Sequence, residues 1–138
     1  MGLCQFGFAR KAGEEDVELM YWRKHADLES VMQLTYYDRM NKDHRSHWSA
    51  NNLENFNNIE LELHKGNIGN LERRMGLFEG RLQESEEPFW YGPYMRKCKP
   101  PHWYGRSTEA HSRDTKLFIE KAREYLKNGW QIFYRCSW

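Results

Sequence analysis

Residues 59–64 read Ile-Glu-Leu-Glu-Leu-His, an unbroken alternation of apolar and polar residues. Successive side chains of a strand point to opposite faces. Ile59, Leu61 and Leu63 therefore share one face, and Glu60, Glu62 and His64 share the other. One face has to be covered by a core while the other stays in water. The pattern recurs at 131–137, where Ile132, Tyr134 and Cys136 alternate against Phe133, Arg135 and Ser137. A sheet with one wet face and one covered face calls for helices as its cover.

Three stretches supply helical spacing. In the first, about 15–39, Val17, Met20, Tyr21, Lys24, Leu28, Val31, Met32 and Thr35 recur on one face, after the acidic start Glu14-Glu15-Asp16. The second, about 68–84, carries Ile68, Leu71, Met75, Phe78 and Leu82 after the turn Lys65–Asn70. In the third, about 109–127, Leu117, Phe118, Ala122, Tyr125 and Leu126 form a face, and Asn128-Gly129 supplies a C-cap. Residues 3–9 read as a strand, 40–57 as a long polar loop, and the proline-containing 85–107 as irregular structure with a short strand at 89–91. The order β-α-β-α-(β)-α-β predicts an α+β sandwich in one domain spanning 1–138, with about four strands and about three helices. The first and last strands are expected to pair at its centre.

Charged residues make up 30% of the chain, yet the formal net charge is only +1. A globally basic nucleic-acid coat is thereby excluded, and anion recognition needs a local patch. Aromatics reach 15%, far from the ring-poor composition of disordered chains. No apolar run approaches the roughly 20 residues of a membrane span, and the first residues lack the pattern of a secretory signal. Three unclustered cysteines, Cys4, Cys98 and Cys136, then read as reduced thiols of a cytosolic protein.

Two stretches place stacking rings beside cations. Tyr21-Trp22-Arg23-Lys24-His25 sits in the first predicted helix, where Tyr21 or Trp22 would offer a ring and Arg23 or Lys24 a phosphate contact. The stretch 89–106 interleaves Trp90, Tyr91, Tyr94, Trp103 and Tyr104 with Arg96, Lys97, Lys99, His102 and Arg106, on a backbone stiffened by prolines. For each, the plainer alternative is rings spent on the core and cations left in water. The glycine-rich Lys65–Asn70, followed by Arg73 and Arg74, opens a helix as anion sites do, but has no Gly-Lys-Ser/Thr. The histidines lack cysteine partners at zinc spacing. Cys98 between two lysines hints at a reactive thiol, but neither it nor His102 with Glu109 has the spacing of a catalytic set. No cofactor is called for, and a binding protein is expected ahead of an enzyme.

The strand opening Met1-Gly2-Leu3, Tyr21-Trp22-Arg23-Lys24, the Phe89-Trp90-Tyr91-Gly92 cluster and the closing Phe133–Trp138 resemble, in the same order, a family of small proteins of tailed bacteriophages. That family opens Met-Gly-Leu-Asp-Met-Tyr, carries Tyr-Trp-Arg-Lys-Ala-Asn and ends Ser-Ser-Trp. Here Cys4-Gln5 and His25-Ala26-Asp27 depart from it, and 40–105 diverges. The resemblance implies a phage accessory protein in the host cytoplasm. With the ring-and-cation clusters, it leads to an expected anti-defence role: binding a nucleotide-like anion and sequestering an immune signalling nucleotide of the host. The alternatives are a protein–protein inhibitor of a host defence enzyme, using exposed tryptophans, and a small nucleotide-processing enzyme. The ligand-binding set on this reading is Tyr21, Trp22, Arg23, Lys24, Trp90, Tyr94, Arg96, Trp103, Tyr104 and Arg106. Whether the chain forms a homo-oligomer stays open.

Overall fold

A computed structural model describes residues 3–40, 56–81 and 108–137. Strands β1 (Cys4–Arg10) and β2 (Val17–Arg23) form a hairpin that leads into helix α1 (Ala26–Met40). Strand β3 (Leu61–Leu63), helices α2 (Lys65–Arg81) and α3 (Glu109–Lys127), and strand β4 (Gln131–Ser137) follow. The four strands form an antiparallel sheet in the order β2-β1-β4-β3. The described residues hold three helices and four strands, the expected α+β class, and the first and last strands pair centrally.

The element order differs in one place. The predicted helix over 15–39 is a strand followed by a shorter helix. Between Gly7 and Phe8 the β1–β2 register slips, so that Met20 faces Gly7 and Glu18 faces Phe8, leaving Leu19 as the extra residue of a bulge. The bulge breaks the two-residue alternation. Val17 and Met20, both on the core side, then stand three apart, and Tyr21 from the open face completes a spacing that imitates a helix. The hairpin loop turns at Lys11–Glu14, where the Glu14 amide donates to the Lys11 carbonyl over 3.0 Å. Gly13 sits third in that turn with φ +82°, a value that favours glycine.

Helix α2 starts at Lys65, so Lys65–Asn70 forms its first turns instead of a loop before it. The span of α3 is the predicted one, and its end is a Schellman motif. Trp130 and Gly129 amides donate back to the carbonyls of Tyr125 (3.0 Å) and Leu126 (3.2 Å), with Gly129 at φ +85°. The rings of Tyr125 and Trp130 meet edge to face across it. Leu117, predicted on the buried face of α3, is 44% exposed; Phe118, Ile119 and Ala122 are buried. The predicted strand at 89–91 and nearly all of the 40–57 loop lie outside the described residues.

The core forms between the helices and the sheet face that carries Leu19, Trp22, Ile132, Tyr134 and Cys136. Phe118 of α3 meets the Trp22 ring edge-on at 5.1 Å. It also lies directly over Gly7, where a Cβ would sit 2.8 Å from its Cδ1. Helix α3 caps two acceptors of edge strand β2. Lys121 Nζ donates to the Leu19 carbonyl (3.2 Å), and His111 Nε2 to that of Arg23 (2.8 Å).

Candidate functional site on the open face of the sheet

The side chains on the other face of the sheet stay outside that core cluster. Their rows follow from the strand registers. One row runs Tyr21, Phe6, Arg135 across β2, β1 and β4, and the next runs Glu18, Phe8, Phe133, Glu62 into β3. Beyond the first row lie Arg23 and Cys4, and beyond the second Arg10.

Rings occupy the middle. Phe6 and Tyr21 pack at 5.2 Å, and Phe8 stacks on Phe133 at 5.4 Å. Tyr21 donates a long hydrogen bond to Cys4 Sγ (3.5 Å) and keeps 44% of its surface exposed. The guanidinium of Arg135 lies over Phe6 at 5.2 Å, and that of Arg10 lies over Phe133 at 4.8 Å and Phe8 at 5.4 Å. The two arginines differ in what else they meet. Arg10 is forked to both Asp16 (3.0 Å twice) and Glu60 (2.7 and 3.3 Å). These bonds raise the Arg10 pKa and hold the carboxyls of Asp16 and Glu60 below their usual range. Arg135 makes no hydrogen bond to the described residues; Glu60 acts on it only through its field.

The face is therefore polar along its strands. Arg23 and Arg135 are basic toward the Cys4 end, and Asp16, Glu18, Glu60 and Glu62 are acidic toward the Arg10 end. A shallow pocket of about 210 Å3 opens between these ends, lined by Phe6, Phe8, Asp16, Glu18, Glu60 and Arg135.

The five residues Tyr21–His25 part company here. Tyr21 lies on the open face, while Trp22 is 1% exposed within the core. The predicted use of Trp22 as a stacking ring is thus corrected: its ring faces Phe118 and Tyr134 and offers no face to a ligand. Arg23 is exposed at the strand end, and Lys24 takes a left-handed turn (φ 57°) with its amide bonded to the Leu3 carbonyl (2.9 Å). His25 is buried. Trp90, Tyr94, Arg96, Trp103, Tyr104 and Arg106 lie outside the described residues, as do Cys98 and His102. Phe6, Phe8, Phe133 and Arg135 were not picked out by sequence reasoning. The available signal was the alternation at 131–137, which already put Phe133 and Arg135 together on the side away from Tyr134.

A second, wholly buried polar network joins the sheet to α1 and α3. Gln5 clamps the backbone of His25, accepting from its amide (2.8 Å) and donating to its carbonyl (3.0 Å), and also donates to the Tyr134 hydroxyl (2.9 Å). Tyr134 in turn donates to Glu29. Burial raises the Glu29 carboxyl to about 7, against the lowering effect of that bond. Burial likewise pushes the Tyr134 hydroxyl and the Cys136 thiol up, with the Glu29 charge adding to both shifts. These groups are sealed from solvent, so their role is to fix α1 on the sheet.

The helix start at Lys65 adjoins a depression lined by Thr35, Asp38, Arg39, His64, Gly66, Asn67 and Asn70. Asn67 Oδ1 accepts from both the His64 amide (2.8 Å) and Arg39 (3.2 Å), so the turn is braced by its own residues. Arg73 is bonded to Asn70 (2.7 Å). Cys4 and Cys136 are free thiols, and no group of three metal-binding side chains occurs among the described residues. Among them, too, no helix is long and apolar enough to cross a membrane. No protein-family model, curated protein or solved structure matches the chain.

Proposed function

We propose that the open face of the sheet binds a nucleotide-like anion. The carrying observation is the row Tyr21–Phe6–Arg135, which sets an exposed ring and a guanidinium free of hydrogen bonds to the described residues on either side of Phe6 in one sheet. A base stacked on an aromatic side chain gains about 1–3 kcal/mol, and an arginine fork suits phosphate oxygens. The low net charge fits a local anion site better than a nucleic-acid coat. Sequestration of a host immune signalling nucleotide in the cytoplasm is the biological form of this reading, and it rests on the phage-family resemblance alone.

The test is thermal shift and calorimetry with a panel of nucleoside phosphates and dinucleotides on wild type, Tyr21→Ala and Arg135→Ala. Loss of the arginine should weaken the best binder roughly tenfold to hundredfold, the value of a charge-assisted hydrogen bond of about 1.5–3 kcal/mol. Tight binding unchanged in both variants would move the site elsewhere. No binding at all would overturn the reading and favour a protein partner.

A further inference from the structure

The pocket on this face carries an arrangement that a bare anion would not need. Three of its six lining residues are acidic: Asp16, Glu18 and Glu60. A phosphate would be repelled from that side, whereas a hydrogen-bond donor would be attracted to it. The three acids are not equivalent. Asp16 and Glu60 both spend their oxygens on Arg10. Glu18 makes no hydrogen bond or ion pair to the described residues, and it stands beside Phe8 in the cross-strand row. A carboxylate has two oxygens side by side and only accepts. Its best planar partner presents two adjacent N–H groups.

Resting on the nucleotide reading above, we propose that the pocket selects a guanine base: the ring lies against Phe6, beside Tyr21 in the row, N1–H and the 2-amino group donate to Glu18, and the phosphate meets Arg135. Adenine and cytosine set an acceptor beside their amino group, which would point a lone pair at the second carboxylate oxygen. Uracil and hypoxanthine have a single donor on that edge. The scale also fits. Glu18 and Arg135 stand two strands and one row apart, roughly 12 Å between backbones for strands ~4.8 Å apart and a rise of ~3.3 Å per residue. Side chains leaning inward from both ends leave the length of one nucleoside monophosphate. The pocket of about 210 Å3 is smaller than the roughly 300–1,000 Å3 of drug-sized clefts, so it takes one base. The neighbouring ring pair, Phe8 on Phe133, is already covered by the pinned Arg10 guanidinium, which leaves no second stacking place there for a longer strand.

Calorimetry with GMP, IMP, AMP and UMP on wild type, Glu18→Gln and Arg135→Ala tests this. GMP should bind wild type at least about tenfold tighter than IMP, which lacks only the 2-amino group. Glu18→Gln should erase that ratio without moving the melting temperature, because the side chain is exposed. Arg135→Ala should weaken all four ligands and leave the ratio in place. If Arg135→Ala weakens binding but wild type does not prefer GMP, or keeps its preference in Glu18→Gln, base selection by Glu18 is overturned while the nucleotide face stands. If none of the four binds, both fall.

Discussion

The imidazole rings of His25 and His111 lie stacked, centroids 4.7 Å apart and planes 9° from parallel. The hydrogen bonds of His111 require a neutral ring. His111 Nδ1 accepts from the Thr108 amide (3.0 Å), as the return half of a capping box, and Nε2–H donates to the Arg23 carbonyl. Thr115 donates its hydroxyl to the His111 carbonyl (2.8 Å), so its lone pairs accept Nε2–H of His25 (3.0 Å). Burial, with a smaller contribution from the neighbouring ring, pulls His25 well below its usual value. Burial also lowers His111, against the Arg23 carbonyl, Asp114 and Asp27, which favour its charged form. A histidine depressed in the fold is protonated first in the unfolded chain. Stability from this pair is therefore present above about pH 6.5 and drains away as pH falls below it. Histidine proton resonances should show His25 untitrated in the folded protein between pH 7.5 and 5.5. A midpoint near 6.5 would contradict the stacked neutral pair.

Glu29 pulls the other way. Its carboxyl stands at about 7 in the fold against 4.5 unfolded, so its contribution is complete below pH 4.5 and lost as pH rises through 7. The span corresponds to about 3 kcal/mol. Glu29→Gln keeps an acceptor for Tyr134 and brings an N–H toward Gln33, whose buried Oε1 lacks a hydrogen bond among the described residues. Urea titrations at pH 5.5 and 8 should show wild type losing stability from this group toward pH 8, and the variant losing less, ending more stable than wild type at pH 8. A variant with the wild-type slope would remove Glu29 from the titration.

Gly7 permits the close approach of α3 to the sheet. A methyl group there would enter the Phe118 ring, and that ring is wedged against Trp22. Gly7→Ala should cost about 1–3 kcal/mol, in the range of overpacked cores. Denaturant midpoints measure it. Gly7→Ala combined with Phe118→Leu should lose less than the two changes separately, since the smaller side chain leaves room for the methyl. Additive losses would mean that the clash is relieved elsewhere.

How much of this was legible can be followed residue by residue. The alternation at 59–64 and 131–137 gave β3 and β4 and their wet sides, because period two survives wherever a strand has one buried face. Helix α3 was legible to its ends because Asn128-Gly129 encodes its own stop. Strand β2 was not, since the bulge at Leu19 breaks its alternation and leaves Val17, Met20 and Tyr21, drawn from both faces, at helical spacing. The turn at Gly13 between two apolar runs was the signal for a hairpin. The open-face site was half legible. Tyr21 and Arg23 were picked out as a ring and a cation, but their partners Phe6 and Arg135 come from strands far apart in sequence, joined only by the β1–β4 register.

The sharpest check of that register is a pair of neighbours. Tyr21 and Trp22 are consecutive aromatics that a helix would set about 100° apart and a strand sets on opposite faces. In the sheet, Tyr21 is 44% exposed and Trp22 is 1% exposed. Trp22→Ala should therefore cost about 3–5 kcal/mol, the usual loss for a large buried ring. It should leave the ligand-facing side chains in place if the domain still folds. Tyr21→Ala gives up its pairing with Phe6, about 0.2–1 kcal/mol for a cross-strand contact, and the long hydrogen bond to Cys4 Sγ. Its effect should fall on binding instead, with a nucleotide that stacks on the ring losing about 1–3 kcal/mol, or up to a hundredfold in affinity. Urea unfolding followed by circular dichroism, together with calorimetry on both variants, separates the two roles. Equal stability losses would mean that both rings are buried and that the open face is closed. A stable Trp22→Ala protein with lost binding would reverse the assignment and put the tryptophan on the ligand side.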